Sequence, residues 1–205
     1  FTSGNTGFLS NYTYNATSIW NASTYAVGPN PNAVHPNFGT WGDHTTGTGN
    51  YMLVNGSSTG TKILWRQTVS LPPGAQVTMK WWMLTFVSPA GSLQLKLLGT
   101  NIGSTASTPT STGVWQQTSR SFTAPTSGSA VINLVTLSGA GSGNDFGIDD
   151  ISFEYECEVF DTVWLAPKSE AQIQLDTASI FGCDSVCFTI ENQLDTLGLL
   201  NYQWI

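Results

Sequence analysis

The stretch GNDFGIDDISF, residues 143–153, places Asp145, Asp149 and Asp150 within six positions of a chain in which only 9% of residues are charged. Paired acids suggest glycoside hydrolysis, which needs two carboxylates facing each other across a cleft. Side chains in a strand alternate between faces, so the adjacent Asp149 and Asp150 cannot form such a pair. With Ile151 and Phe153 turned to a core, Asp149 turns with them, and Asp150 turns away with Ile148. A buried carboxylate neutralises or finds a partner. Six Lys+Arg offer few, so an oxygen-coordinated hard cation, Ca²⁺, is the expected one. The alternative is acceptance of backbone N–H bonds from a neighbouring loop. Asn144-Asp145, after GAGSG, reads equally as turn chemistry or as a weaker metal ligand.

Other catalytic constellations are missing from the sequence. His35 and His44 have no Cys or Glu at metal-ligand spacing, and no GxSxG, HExxH or phosphate loop occurs. The reading is no enzyme and no catalytic residue. A net charge of −7 without a basic stripe argues against nucleic acid. No apolar run approaches the ~18 residues that span a bilayer.

The elements that must position these residues are strands. VTMKWWML (77–84) alternates Val77, Met79, Trp81 and Met83 with Thr78, Lys80, Trp82 and Leu84. SLQLKLLG (92–99), WQQTSRSF (115–122), SAVINLVTL (129–137) and GIDDISFEY (147–155) behave alike, separated by PPG, SPAG, STGV and APTSG. This pattern predicts an all-β antiparallel jelly-roll sandwich over 1–156. Residues 1–60 read as long loops and short strands. A linker over 157–170 leads to AQIQLD, VCFTIEN and LNYQWI, a partial Ig-like β-sandwich over 171–205. Too few residues remain to close a sandwich alone, so both chain ends are expected to be cut from a longer protein.

All three cysteines fall late: Cys157, Cys183 and Cys187. Cys183 and Cys187 would stand ~13 Å apart in an extended strand, so a disulfide between them requires a turn. Free thiols are the alternative.

DHTTGTGNYMLVNGSS (43–58), followed by GNDFGIDDISF, resembles the MAM domain and related jelly-roll carbohydrate-binding modules. ILWRQTVSLPPGAQVTMKWWM and TGVWQQTSRSF match that pattern in order. The longer string from GNTGF through YAVGPNPNAVHPNF resembles a module of large surface adhesins of gliding bacteria, and FGCDSVCFTIEN with LNYQWI resembles the first half of a PKD-type domain. The resemblance implies an exported, extracellular multi-domain stalk or filament protein on the cell surface. It also implies a structural cation between the DHT loop and the last strand, with Asp43 and Asp149 as side-chain ligands. Oxygens near Thr45, Thr48 and Asn50 would complete the shell. The triplets DTV, DTA, DSV and DTL resemble bacterial O-glycosylation acceptors, which implies glycans on Thr162, Thr177, Ser185 and Thr196.

Carbohydrate recognition needs exposed rings with amides and hydroxyls nearby. Trp82, on the polar parity with Thr78 and Lys80, is the first candidate; Trp41, Tyr51 and Trp20 are expected to rim the same face. Trp81 and Trp115 are expected in the core. Two function classes follow: a non-enzymatic, calcium-stiffened adhesin segment, or a carbohydrate-binding module of a secreted polysaccharide-degrading enzyme. Expected partners are surface glycans or polysaccharide and neighbouring domains or copies.

Overall fold

The computed structural model describes residues 1–59, 61–137 and 143–156. The linker and second strand set, with the three cysteines and the four O-glycosylation candidates, lie outside them. The described strands belong to the unit Phe1–Tyr155. They are β1 (Thr13–Tyr14), β2 (Thr24–Gly28), β3 (Tyr51–Asn55), β4 (Lys62–Ser70), β5 (Gln76–Val87), β6 (Ser92–Leu97), β7 (Thr100–Ser107), β8 (Trp115–Thr123), β9 (Ser129–Thr136) and β10 (Asp145–Tyr155). A 3₁₀ turn at Pro31–Ala33 is the one helical element among the described residues.

Six strands form one sheet in the order β1-β2-β3-β10-β5-β8, and four form the other in the order β4-β9-β6-β7. Neighbouring strands run antiparallel except β1 and β2. The fold is an all-β jelly-roll sandwich.

Alternation builds the core. Val77, Met79, Trp81 and Met83 of β5 turn inward and meet Leu93 and Leu95 of β6 and Ala130, Ile132 and Leu134 of β9. Burying each large aliphatic side chain contributes about 1.5–3 kcal/mol before ordering costs. Trp81 is fully buried as expected; Trp115 is half-buried at the edge of a different cluster.

That second cluster lies on the outer face of the six-stranded sheet. Leu53, Leu84, Phe86 and Tyr51 point away from the sandwich interior, yet they are buried under Ile19, Phe38, Val34 and Trp41. The segments joining β1 to β2 and β2 to β3 thus fold over half of this face. Stacked rings fasten the cover: Trp20 on His35 at 4.6 Å, His35 on Phe38 at 4.1 Å, and Phe38 against Phe86 at 5.0 Å. Gly147 makes the close approach workable, because a Cβ there would lie 2.6 Å from the Tyr51 ring.

Candidate functional site

The strand β10 departs from simple alternation at the acids. Ile148 pairs with Met83 and Asp149 with Trp82, but the next pair is Ser152 with Lys80. Asp150 and Ile151 therefore stand opposite Trp81 alone, a β-bulge, and Asp150 has φ 45°. The extra residue flips the parity. Ile148 faces the core, and after the bulge so do Ile151 and Phe153, while Asp149 lies on the outer face with Trp82. This corrects the expectation that Asp149 shares the side of Ile151 and Asp150 that of Ile148. Asp149 is nonetheless 3% exposed. What buries it is the loop carrying DHT.

That loop, 43–49, is closed by its own aspartate. Asp43 Oδ2 accepts from Thr46 N at 3.0 Å, and Oδ1 accepts from Gly49 N at 2.7 Å and from Thr46 Oγ1 at 2.9 Å. A Cβ on Gly49 would lie 2.8 Å from Asp43 Oδ2, so glycine permits the closure. The closed loop is then held on the bulge. His44 N donates to Asp149 Oδ2 at 3.0 Å, His44 Nδ1 meets Asp150 Oδ2 at 2.7 Å, and Thr45 Oγ1 donates to the same oxygen at 2.7 Å. An ionised carboxylate only accepts, so Nδ1 carries the hydrogen. The His44 ring stacks on Trp82 at 3.6 Å and 17°. Trp115 Nε1 donates to Gly42 O at 3.1 Å, and Tyr51 OH to Trp41 O at 2.8 Å. The partners of His44 are thus the acids of β10.

The three buried acids differ in electrostatics. Burial pushes Asp43 up, but the N–H donors of Thr46, Gly49 and Thr45 and the Thr46 hydroxyl outweigh it and hold the carboxyl below its ordinary value. Burial raises Asp149, partly offset by the N–H groups of His44 and Asp150. Burial raises Asp145 to about 6, with Gly56 N as its hydrogen-bonding offset.

The expected cation ligands are thus placed as follows. Asp43 and Asp149 meet at one loop, on either side of His44. Asp145 does not join them; it accepts from Gly56 N at 2.8 Å. The Thr45 hydroxyl is turned to Asp150, Thr48 contacts Thr46, and Asn50 leads into β3. Among the described residues no group of three or more His, Cys, Asp or Glu converges. Both oxygens of Asp43 and of Asp149 accept hydrogen bonds, which outweigh burial at Asp43 and only partly offset it at Asp149.

Of the expected ligand rings, Tyr51 is 0% exposed and offers no face to a ligand. Trp41 is half-buried and lies parallel to Phe86 at 5.9 Å. Trp20 is 57% exposed with its ring stacked on His35. Trp82 is half-buried where the cover ends. Beyond it the outer face is open: Thr78 and Lys80 on β5, Gln117 and Ser119 on β8, and Ser152 and Glu154 on β10 are exposed or half-buried. Lys80 pairs with Glu154, and Thr78 Oγ1 lies 2.9 Å from Ser121 Oγ. An aromatic ring bordering a field of hydroxyls, an amide and an ion pair can stack on a sugar and hydrogen-bond its hydroxyls. A His–Asp pair is also the orienting half of a nucleophilic triad. Among the described hydrogen bonds, however, none joins His44 Nε2 to a hydroxyl.

The sequence matches no family model, and no curated protein matches it. Similar folds occur among solved structures. One is the xylan-binding domain of Paenibacillus barcinonensis Xyn10C, at 7% identity and TM-score 0.46, covering 73% of this chain and 85% of that one. Another is the C-terminal domain of the sugar-binding protein EclA, at 21% identity and TM-score 0.42, covering 47% of this chain and 69% of that one. A third is an arabinose-bound α-L-arabinofuranosidase, at 14% identity and TM-score 0.48, covering 73% of this chain and 23% of that one. All three TM-scores lie below 0.5, and the xylan, sugar and arabinose are ligands of those proteins.

Proposed function

We propose that the domain is a non-catalytic glycan-binding module of an exported multi-domain protein. It engages a neutral polysaccharide on the open half of the outer face, with Trp82 as the stacking ring. The observation that carries this reading is the position of Trp82, held by His44 and the clasp beside half-buried Thr78 and Lys80 and exposed Gln117, Ser119, Ser152 and Glu154. A rigid ring costs little entropy on binding, and the polar side chains already stand in register around it. Affinity electrophoresis against a panel of neutral polysaccharides tests it. Retardation by at least one glycan, lost about tenfold in Trp82→Ala, is expected; a single buried stacking contact of ~1.4 kcal/mol gives that factor. Retardation equal in wild type and Trp82→Ala sinks the assignment of the face.

The adhesin reading differs in what surrounds the domain. It is supported by the resemblance of FGCDSVCFTIEN and LNYQWI to a PKD-type domain and by a low-charge composition rich in Ser, Thr and Asn. Many repeats in the parent chain favour a stalk, and a hydrolase domain favours a module serving an enzyme. A structural calcium ion at Asp43 and Asp149 is a separate proposal, supported by the meeting of two buried carboxylates at one loop. Thermal unfolding with calcium or chelator decides it. A chelator-lowered midpoint keeps the ion, and an unchanged midpoint leaves the hydrogen-bonded clasp alone.

A further inference from the structure

The acids of the described chain gather at one sheet, whereas its cations lie on both, with Lys80 on β5 and Arg120 on β8 of the six-stranded sheet. The acids, Asp43, Asp145, Asp149, Asp150, Glu154 and Glu156, all lie in β10, directly after it or in the loop docked on it. The four-stranded sheet has no Asp or Glu in its strands but carries Lys62 and Arg66 on β4 and Lys96 on β6. Arg66 pairs with Asn133, Asn133 with Lys96, and Lys96 with Asn101, a row running across all four strands. Leu95, Ile132 and Leu134 face the core, so Asn133 and Lys96 between them face out.

The row is built rather than scattered. Asn133 is 6% exposed and its Oδ1 accepts from Arg66 Nε at 2.8 Å, which fixes the plane of the guanidinium. The two terminal nitrogens of Arg66 have no hydrogen-bond partner among the described residues, and neither Arg66 nor Lys96 makes an ion pair there. Beside Arg66 opens a cleft of about 380 Å³ lined by Gly7, Phe8, Leu9, Arg66, Gln67 and Thr68. Its wall is tied down by reciprocal Leu9–Arg66 backbone bonds of 2.8 Å. Cations on an edge strand such as β4 also discourage strand pairing. That explanation does not reach Lys96, because β6 is interior, between β9 and β7.

We propose that this outer face binds a carboxylated polysaccharide, a polyuronate, at a site separate from the Trp82 face. Arg66 presents its free fork side-on to one carboxylate, a geometry that suits a planar anion and that lysine cannot reproduce. Lys96 takes a second carboxylate further along the polymer, two strand spacings or ~10 Å away. The cleft seats a sugar ring against the exposed Leu9, which lies opposite Arg66, with Thr68 as a hydrogen-bonding group. The chain's net charge of −7 repels a polyanion as a whole. Binding therefore has to come from the local row, and it weakens as salt screens it.

The test is binding of the full 205-residue chain to polygalacturonate at low salt, by affinity electrophoresis, with galacturonate monomer, dextran sulfate and a neutral xylan as comparison probes. Polygalacturonate is expected to bind, and the monomer far more weakly, because it meets only one cation. Arg66→Gln should weaken binding about tenfold, as loss of a charge-assisted bidentate contact does. Lys96→Gln should weaken it severalfold, and Arg66→Lys should fail to restore it. Unfolding midpoints of Arg66→Gln, whose Nε2 can still donate to Asn133, and of Lys96→Gln should match wild type, and Trp82→Ala should leave polyuronate binding intact. That last arm separates failure of this proposal from failure of the neutral-glycan reading. Absence of polygalacturonate binding overturns the site, as does equal binding by Arg66→Gln. Dextran sulfate binding as tightly as polygalacturonate, with Arg66→Lys equal to wild type, overturns the carboxylate assignment.

Discussion

The outer side of β5 passes through two environments within one strand. At Leu84 and Phe86 it is buried beneath the cover formed by the β1–β2 and β2–β3 segments; at Thr78 and Lys80 it meets solvent. The inner side, Val77, Met79, Trp81 and Met83, is uniformly core. Sheet parity therefore explains the inner side completely and the outer side only up to Trp82. There the cover ends, and there the side chains change from apolar to polar. The one large ring at that boundary is the one that His44 braces.

The largest effect should come from breaking the covered half. Leu84→Ala should cost about 2–5 kcal/mol in urea unfolding, the loss of a fully buried leucine, while Thr78→Ala on the open half stays within about 0.5 kcal/mol. Equal costs would erase the distinction between the halves. The acids of β10 provide a second contrast. Asp145 has a folded pKa of about 6 against an ordinary 3.8. Because its folded value is raised, its contribution is full below the unfolded pKa and is lost as pH rises through about 6. Asp145→Asn keeps the acceptor for Gly56 N and removes the charge. It should therefore stabilise by about 3 kcal/mol at pH 7.5, at 1.36 kcal/mol per pKa unit, and little at pH 4. A pH-independent difference would contradict the assignment. The smallest effects concern the clasp. Asp149→Ala leaves the N–H of His44 unpaired and should cost about 1–2 kcal/mol, whereas Asp150→Ala, at the exposed end, should cost under about 1 kcal/mol. Amide exchange at His44 should rise in both.

Much of this was legible in the sequence. The alternation of 77–84 and 129–137 located β5 and β9, because each has one face in the core; 115–122 located β8, although only Phe122 of it is buried. β7 was not readable: TNIGSTAS carries one large apolar residue, Ile102, and a glycine, as an edge strand can. The burial of Asp149 was foreseen, but by the wrong route. Strict alternation cannot anticipate a bulge, and the φ of 45° at Asp150 leaves no mark in a residue pattern. Asp150 was passed over as merely outward, although a polar DHT triplet elsewhere in the chain was a signal that an outward acid had donors to grip. Tyr51 looked like a loop ring because the cover that buries it is assembled from segments without periodicity.

The central claim is that the open half of the six-stranded sheet, bordered by Trp82, is the neutral-glycan face. Amide chemical-shift mapping of the full chain against a retarding neutral polysaccharide tests it directly. Shifts at Thr78–Trp82, Gln117–Ser119 and Ser152–Glu154, with the covered half and the four-stranded sheet unmoved, are the predicted result. Shifts centred on Trp20, on the four-stranded sheet, or at no described position would contradict it.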